Sequence, residues 1–276
     1  MKFLFSIILS LVLTTLSVAQ NFQGIATYKT STSLDLKMDS TQMNPDQQAM
    51  IMNMLRKQLQ KEYELFFNKS ESVYKEVDQL DQEAAFSGIM AMVTGADDIN
   101  YKNVGTRANV RQTEFFGKRF LIKDTLELTE WKLGKESKQI GSYTCYKATA
   151  QRVVTNRTFS SEEDEEGNHS NEEQDTIELV AWYTPQIPIS QGPDNFWGLP
   201  GLIMEVDNGQ TVMLCSKVVL NPKNGVNIEE PKEGEEVSEQ QFNDIRDQKL
   251  KEMQEMYGGN RSGRGGGGSM RIQISR

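Results

Sequence analysis

Short β-like runs separated by glycines fill the middle of this 276-residue chain and constrain its fold more than any other feature. Gly105, Gly117, Gly134 and Gly141 punctuate the runs, which cover residues 101–104, 109–116, 119–128, 131–133 and 143–150. Such spacing is typical of strands joined by tight turns. No regular helical crossover separates them. The pattern therefore predicts an antiparallel sheet rather than a parallel one.

Further strands and two helices are predicted around this central region. Alternation predicts strands at 22–28, 176–183, 202–206 and 211–220, and a hairpin from Tyr63 to Tyr74. One helix is predicted from about Pro45 to Lys61, because Asn44 can cap a helix whose first residue is proline. A capping box at Ser238–Gln241 predicts the other, from about Glu239 to Tyr257.

These elements predict an α+β fold in which a curved, mainly antiparallel sheet carries a helix from the N-terminal half and a C-terminal helix. By analogy with the periplasmic lipoprotein carriers, we expect the sheet to be a half-barrel. Residues 20–257 are predicted to form a single domain, and 258–276 a flexible tail rich in glycine and arginine. Within that tail, alternation at 270–275 predicts a short strand that adds to a sheet edge.

The first 19 residues predict a secretory signal peptide. Lys2 supplies the positive start, residues 3–16 are apolar apart from serines and threonines, and Ser17-Val18-Ala19 is a small-residue cleavage site. No later stretch reaches the 18 or so apolar residues that a membrane helix needs. We therefore expect an exported protein, in the periplasm, at the outer membrane or secreted, without a transmembrane segment after cleavage.

The charge of the chain argues against nucleic acid as a partner. The formal net charge is −9. Residues 160–175, an acidic hairpin tip between two predicted strands, hold eight acidic residues and no basic one, whereas residues 258–276 hold four arginines and no acid. An acidic body of this kind does not attract a phosphate backbone by simple electrostatics.

The residues of the chain do not predict a metal site or another cofactor. The single histidine, His169, lies in the acidic tip and is a poor catalytic base there. Glu162, Asp164, Glu166 and Glu173 approach the spacing of an EF-hand loop, but predicted strands flank them instead of helices. Copper(I) binding by Met50, Met52 and Met54 fails because Met52 projects from the opposite side of a helix.

The chain has two cysteines, and both fall in predicted strands. Cys145 and Cys215 form a candidate disulfide in an oxidising compartment. A buried, reduced pair is the alternative, and the sequence does not decide between the two.

The segment from Pro185 to Gly201 is the most unusual of the chain. It holds four of the seven prolines, together with Phe196 and Trp197. A stiff, aromatic connection of this length is rarely without a role. It can act as a rigid cover over the open end of the sheet, or as a contact surface for a ligand or partner. Within it, Pro200-Gly201 suits the central positions of a type II turn.

This segment also carries a family resemblance. The motifs are Trp182-Tyr183-Thr184-Pro185, Ile187-Pro188, Gly192-Pro193 and Phe196-Trp197-Gly198-Leu199-Pro200-Gly201-Leu202-Ile203. They resemble the GLPGLI family of exported proteins from Bacteroidetes, whose six-residue signature is intact at 198–203. The segment from Ile140 to Ala148 is similar to a second motif of that family. The resemblance implies an exported domain over most of the chain. It does not imply any particular activity.

The preferred hypothesis is a non-enzymatic envelope protein that binds an apolar ligand or an outer-membrane partner. Phe196, Trp197, Leu199 and Pro200 are the candidate contact residues. One alternative is a carboxylate-based hydrolase, which needs two acids fixed in one cleft; Glu178, Glu205 and Asp207 lie nearest to predicted strands. The other alternative is a structural factor in envelope assembly.

Overall fold

The computed structural model describes residues 22–32, 60–77, 96–159, 170–258 and 273–274. Thirteen strands and one helix lie in these ranges: β1 Gly24–Thr32, β2 Glu62–Phe67, β3 Glu71–Glu76, β4 Ala96–Asn103, β5 Ala108–Phe115, β6 Lys118–Thr125, β7 Lys132–Ile140, β8 Tyr143–Phe159, β9 Ser170–Thr184, β10 Leu202–Asp207, β11 Thr211–Leu220, β12 Glu235–Val237, α1 Glu239–Gly258 and β13 Gln273–Ile274. The described part of the chain is therefore dominated by strands, as the sequence predicts.

All the strands belong to one sheet, in the order β12-β6-β5-β4-β3-β2-β1-β11-β10-β9-β8-β13, with β7 paired to β8. Every pair is antiparallel except β12 with β6. The first strand lies in the middle and joins two meanders, β2 to β6 on one side and β8 to β11 on the other. Among the described residues the two ends of this order do not pair, so the sheet is open.

The sheet curves around its largest core cluster. Tyr74 of β3 and Cys145 of β8 pack in the same cluster, although five strands lie between β3 and β8 in the sheet. Ile187 and Ile189, from the connection between β9 and β10, fill the space between them and are buried. Strands so far apart can share one core only if the sheet bends toward that connection.

The C-terminal helix begins as the capping box predicts. The backbone N–H of Gln241 donates to Ser238 Oγ at 3.2 Å, and the Ser238 N–H donates to Gln241 Oε1 at 2.8 Å. The helix packs on the sheet through Phe242, whose ring lies 5.3 Å from that of Phe120 and 5.8 Å from that of Phe115. In the described part of the chain, no helix is both long enough and apolar enough to cross a membrane.

Several boundaries differ from the prediction. β7 runs through Gly134 to Ile140 instead of ending at Leu133, with an irregular register between Leu133 and Ser137. β8 ends at Phe159, where the predicted acidic tip begins, but β9 begins at Ser170, so residues 170–175 belong to a strand and not to the tip. β12, which the sequence does not predict, forms because its backbone pairs in parallel with the β6 edge.

Some predictions lie outside the described residues. These are the signal peptide, residues 160–169 of the acidic tip with His169, and the methionines of the copper hypothesis. The predicted helix from Pro45 also lies there, except for its last two residues, Gln60 and Lys61, which are not helical. At the other end, Gln273 and Ile274 pair with β8, which confirms an edge strand within 270–275.

Candidate functional site

Residues 185–201, here called the strap, connect β9 to β10 and fold back against the start of β10. Backbone hydrogen bonds join the strap to the first residues of β10: the N–H of Leu202 donates to Ile187 O at 2.9 Å, and that of Ile203 to Gln191 O at 3.0 Å. Tyr28 Oη, from the central strand, donates to Ile203 O at 2.6 Å. The strap is thus held to the middle of the sheet at its C-terminal end.

A buried lysine holds the middle of the strap. Lys102 of β4 is fully buried, and its Nζ donates to the backbone carbonyls of Gly192 at 2.7 Å, Phe196 at 3.3 Å and Asp194. An ammonium group has three donors, and here each has a carbonyl acceptor. A charge this far from water is tolerated only when it is fully hydrogen-bonded. Lys102 therefore ties the strap to the opposite half of the sheet.

Two polar side chains beside Lys102 reinforce this attachment. Asn100 Nδ2 donates to Asp194 Oδ1 at 2.6 Å, and Ser72 Oγ of β3 donates to Gln191 Oε1 at 3.0 Å. Asp194 adopts a φ of +46°, which is uncommon for a residue with a side chain. Its carbonyl meets Lys102 while its carboxylate meets Asn100, and these two contacts stabilise the left-handed backbone.

Two tryptophans fix the strap near Trp197, between its middle and its C-terminal end. Trp197 Nε1 donates to Glu127 O at 2.9 Å, and Trp131 Nε1 donates to Trp197 O at 2.8 Å. The guanidinium of Arg152 lies 5.1 Å from the centre of the Phe196 ring, within cation–π distance. The connection between β6 and β7 therefore clamps the aromatic pair that the sequence singled out.

Three of the four predicted contact residues face the protein itself. Phe196, Trp197 and Leu199 are buried, and so are Leu202 and Ile203; only Gly198 and Pro200 of the motif are exposed. This arrangement supports the interpretation of the segment as a rigid cover, and ligand contact by the four residues stays a prediction. The type II turn is wrong: Gly198 has a φ of +97°, and Gly201 is not in the left-handed region.

The buried lysine should make stability depend on pH. Burial lowers the pKa of Lys102 to about 7, opposed by Asp194, against 10.5 for a free lysine. Between these values the unfolded chain binds more protons, so the free energy of unfolding rises with pH. We expect urea denaturation to show a rise between about pH 7 and pH 8, by at most about 1.4 kcal/mol per pH unit; above that range the raised pKa values of the buried Cys145 and Cys215 thiols act in the opposite direction. Lys102→Met should abolish this slope, and a wild-type stability that is flat over the interval would contradict the assignment.

A cleft of about 250 Å³ opens beside the strap. Its lining comes from β1, β2, β3 and β4, from β11, from the residue before β2 and from the strap. The lining residues are Thr30, Thr32, Lys61, Tyr63, Tyr74, Asp98, Asn100, Asp194, Thr211 and Met213. The Tyr63 and Tyr74 rings stack at 4.8 Å with an interplanar angle of 9°. Polar groups and one aromatic pair thus converge on a single concave surface.

Several polar atoms of the cleft lack a hydrogen-bond partner. Tyr74 Oη, Asp98 Oδ1 and Asn100 Oδ1 are buried and have no partner among the described residues. Each such atom costs roughly 1–3 kcal/mol. Burial raises the pKa of Asp98, and the nearby Arg111 opposes that shift most strongly. The strap itself holds two more such atoms, Gln191 Nε2 and Asn195 Oδ1.

The acids proposed for the hydrolase hypothesis do not line this cleft. Glu178 is exposed on β9. Glu205 receives Lys138 Nζ on both oxygens at 2.7 and 2.8 Å, and Asp207 accepts the Gly209 N–H at 2.8 Å in a turn. Glu178 is thus a surface residue, Glu205 an ion-pair partner of Lys138, and Asp207 a turn residue. The two acids that do share the cleft, Asp98 and Asp194, are far apart in the sequence.

Both cysteines are buried and occur as free thiols in the structure. They lie in the same core cluster, on β8 and β11. Burial raises the pKa of Cys145 to about 11 and that of Cys215 to about 12, so neither is a reactive thiolate at neutral pH. The disulfide stays a prediction.

Comparisons with known proteins add little about chemistry. No curated protein sequence matches the chain significantly. Among solved structures, PNGF-II in space groups C2 and P21 aligns with TM-scores of 0.49 and 0.48, at 14% identity in both cases. The alignments cover 82% and 81% of this chain but only 32% and 33% of PNGF-II, so the chain spans about a third of that protein's length. Residues 131–205, from β7 through the strap into β10, match the model of a family described as "Protein of unknown function (Porph_ging)".

Proposed function

We propose that this protein is an exported, non-enzymatic binding protein of the GLPGLI type, and that the cleft beside the strap is its ligand site. The observation that carries the proposal is the cleft itself, where polar side chains and the stacked Tyr63–Tyr74 pair converge on one concave surface of about 250 Å³. Small-molecule sites are concave, and a few convergent polar groups fix the orientation of the ligand in them.

The strap has a defined part in this proposal. Its Asp194 lines the cleft and binds the side chain of Asn100 there, while the Asp194 carbonyl accepts from Lys102. The motif residues that follow are buried and hold the strap against the sheet. We therefore assign the signature at 198–203 to positioning Asp194, rather than to contacting the ligand.

Export and an envelope location rest on the sequence of residues 1–19, whose charged start, apolar run and small-residue cleavage site are those of a signal peptide. In this proposal the molecule collected is one that reaches the outer membrane or the periplasm, and an outer-membrane partner can receive it.

Native mass spectrometry of the protein recovered from the envelope of its own host tests the proposal. We expect an added mass on the wild-type protein. Thr32→Trp should lose it, because Thr32 lines the cleft mouth with Thr211, and their Oγ1 atoms are 2.9 Å apart. Ser31→Trp is the matched control, since the neighbouring side chain is exposed and does not line the cleft.

Thr211→Trp gives a second blocked variant from the facing strand, and a melting curve shows whether each variant folds. An added mass that folded Thr32→Trp and Thr211→Trp retain would place the ligand elsewhere. A wild-type protein that never carries one would contradict a binding function.

A carboxylate hydrolase is the second candidate, and one observation favours it. Asp98 and Asp194 line the same cleft, and burial raises the pKa of Asp98, as a general acid requires. Turnover of 4-nitrophenyl glycosides or esters that disappears in both Asp98→Asn and Asp194→Asn would favour hydrolysis over binding. Absence of turnover together with a retained ligand would favour binding.

A further inference from the structure

Arg111 of β5 contacts two acids that come from different parts of the chain. Its Nη2 donates to both carboxylate oxygens of Glu239, the first residue of α1, at 3.1 and 3.2 Å. Its Nη1 lies 3.8 Å from Oδ2 of Asp98, which lines the cleft. A guanidinium carries donors on more than one edge, so one arginine can serve two carboxylates at once. Of the two acids, the one on the helix has the closer contacts.

The helix meets Arg111 with a second side chain. The guanidinium carbon lies 5.2 Å from the centre of the Phe242 ring, within cation–π distance. Glu239 and Phe242 are three residues apart and therefore share one face of α1. Only 14% of the Arg111 side chain is exposed, so water screens these contacts weakly. Arg111 thus joins the start of α1 to the sheet through two side chains.

The other polar contacts of the C-terminal segment with the sheet edge are exposed. β12 pairs with β6, and three ion pairs accompany that pairing: Lys118–Glu235, Arg119–Glu233 and Lys123–Glu236. All six side chains are exposed, and exposed ion pairs contribute little to stability. Buried contacts are made by Val237, by Phe242 and by Arg111. A change at Arg111 should therefore affect the docking of the helix as well as the cleft.

Asp98 is the cleft residue that responds to Arg111, and 35% of its side chain is exposed. Burial raises the pKa of Asp98, and Arg111 opposes that rise more strongly than any other group. Asp194 adds to the rise, and Lys61 opposes it. An arginine shared with Glu239 stabilises the Asp98 carboxylate less than an unshared one would. The docked helix and the charged Asp98 therefore compete for one cation.

We propose that Arg111 is a positioning residue of the ligand site, and that it couples the docking of α1 to the charge of Asp98. Such coupling is reciprocal, so neutralising Asp98, by a proton or by a positive group in the cleft, leaves Arg111 to Glu239 and strengthens helix docking. Release of the helix strengthens the ion pair of Arg111 with Asp98. The C-terminal helix is in this way a regulatory element of the site. This inference rests on the binding function proposed above.

NMR titration of the Asp98 carboxyl carbon in the full exported protein, assigned with Asp98→Asn, tests the coupling without a ligand. Glu239→Gln should move the titration midpoint of Asp98 to lower pH, because Arg111 is no longer shared. Asp244→Asn is the control, since Asp244 is exposed on the same helix, and it should leave the midpoint in place. Arg111→Lys keeps the charge without the guanidinium fork, and in that background Glu239→Gln should have at most about half its effect.

Hydrogen exchange measures the reciprocal effect on the helix. Asp98→Asn should slow the exchange of backbone amides in the first turns of α1 about fivefold, at the low end of typical couplings between sites. The same substitution should not slow this exchange when Glu239→Gln is already present, because Arg111 then has no carboxylate on the helix to pair with.

An unchanged Asp98 midpoint in Glu239→Gln would overturn the inference, and so would helix exchange that does not respond to Asp98→Asn. A full-sized shift in the Arg111→Lys background would mean that Glu239 acts on Asp98 through space, which also overturns it. A protein that shows both effects but never carries an added mass loses the binding function and keeps the coupling. One that carries a mass removed by Thr32→Trp, but shows neither effect, loses only the coupling.

Discussion

Replacing Lys102 by methionine is expected to lower the free energy of unfolding by about 3 kcal/mol, because a buried hydrogen-bonding group left without a partner costs roughly 1–3 kcal/mol. The methionine has a similar length and fills much of the same volume. It leaves the carbonyls of Gly192, Asp194 and Phe196 buried without a donor. Urea denaturation followed by tryptophan fluorescence measures the loss, and Trp197 in the strap reports on the affected region.

The matched control is Lys69→Met, at an exposed lysine in the turn between β2 and β3. We expect it to change stability by less than about 0.5 kcal/mol. A loss below about 1 kcal/mol for Lys102→Met would show that the strap stays attached without the lysine. In that case the Trp131 and Trp197 hydrogen bonds carry the attachment instead.

The sequence predicts those parts of the fold that depend on neighbouring residues. The capping box at Ser238 and Gln241 uses atoms three residues apart, and both of its hydrogen bonds form. The hairpin between β2 and β3 likewise depends on a short turn, in which Asn68 Oδ1 accepts the N–H groups of Ser70 and Glu71. Local geometry decides both features, so a pattern in the chain is enough to find them.

The site depends on distant residues, which the pattern does not reveal. Lys102 follows Tyr101 in a strand with polar neighbours, where a lysine ordinarily faces solvent. It is buried because the strap, about 90 residues later, supplies three carbonyls. The cleft has the same origin, since Asp98 and Asp194 meet only through the curvature of the sheet. The sequence signal for this region was the run of prolines in the strap. That run indicated a rigid element, but it did not indicate that the strap carbonyls accept hydrogen bonds from Lys102.

The second large effect is expected at Gly201, where alanine should cost about 3 kcal/mol or more. The added Cβ would lie 2.5 Å from the Thr184 carbonyl carbon, closer still to its oxygen, and 2.9 Å from Pro185 N. These are backbone atoms at the other end of the strap, and Thr184 is fully buried. Overpacking that side chains can relieve costs about 1–3 kcal/mol, and here no side chain can move aside.

Gly198→Ala separates this close approach from backbone strain. Gly198 has a φ of +97°, but its added Cβ would meet only Trp131 at 3.7 Å, which is ordinary contact. We expect it to cost about 1–2 kcal/mol from the left-handed backbone alone. Gly117→Ala, at a φ of +71° with open space around the added Cβ, measures the cost of the left-handed backbone without any new contact.

Differential scanning calorimetry of the three variants should give Gly201→Ala clearly the lowest melting temperature, because only at Gly201 does the end of the strap pack against the backbone at its beginning. Equal melting temperatures for the Gly198 and Gly201 variants would mean that the signature needs its glycines for turning the chain, and that the strap can separate from Thr184 at little cost.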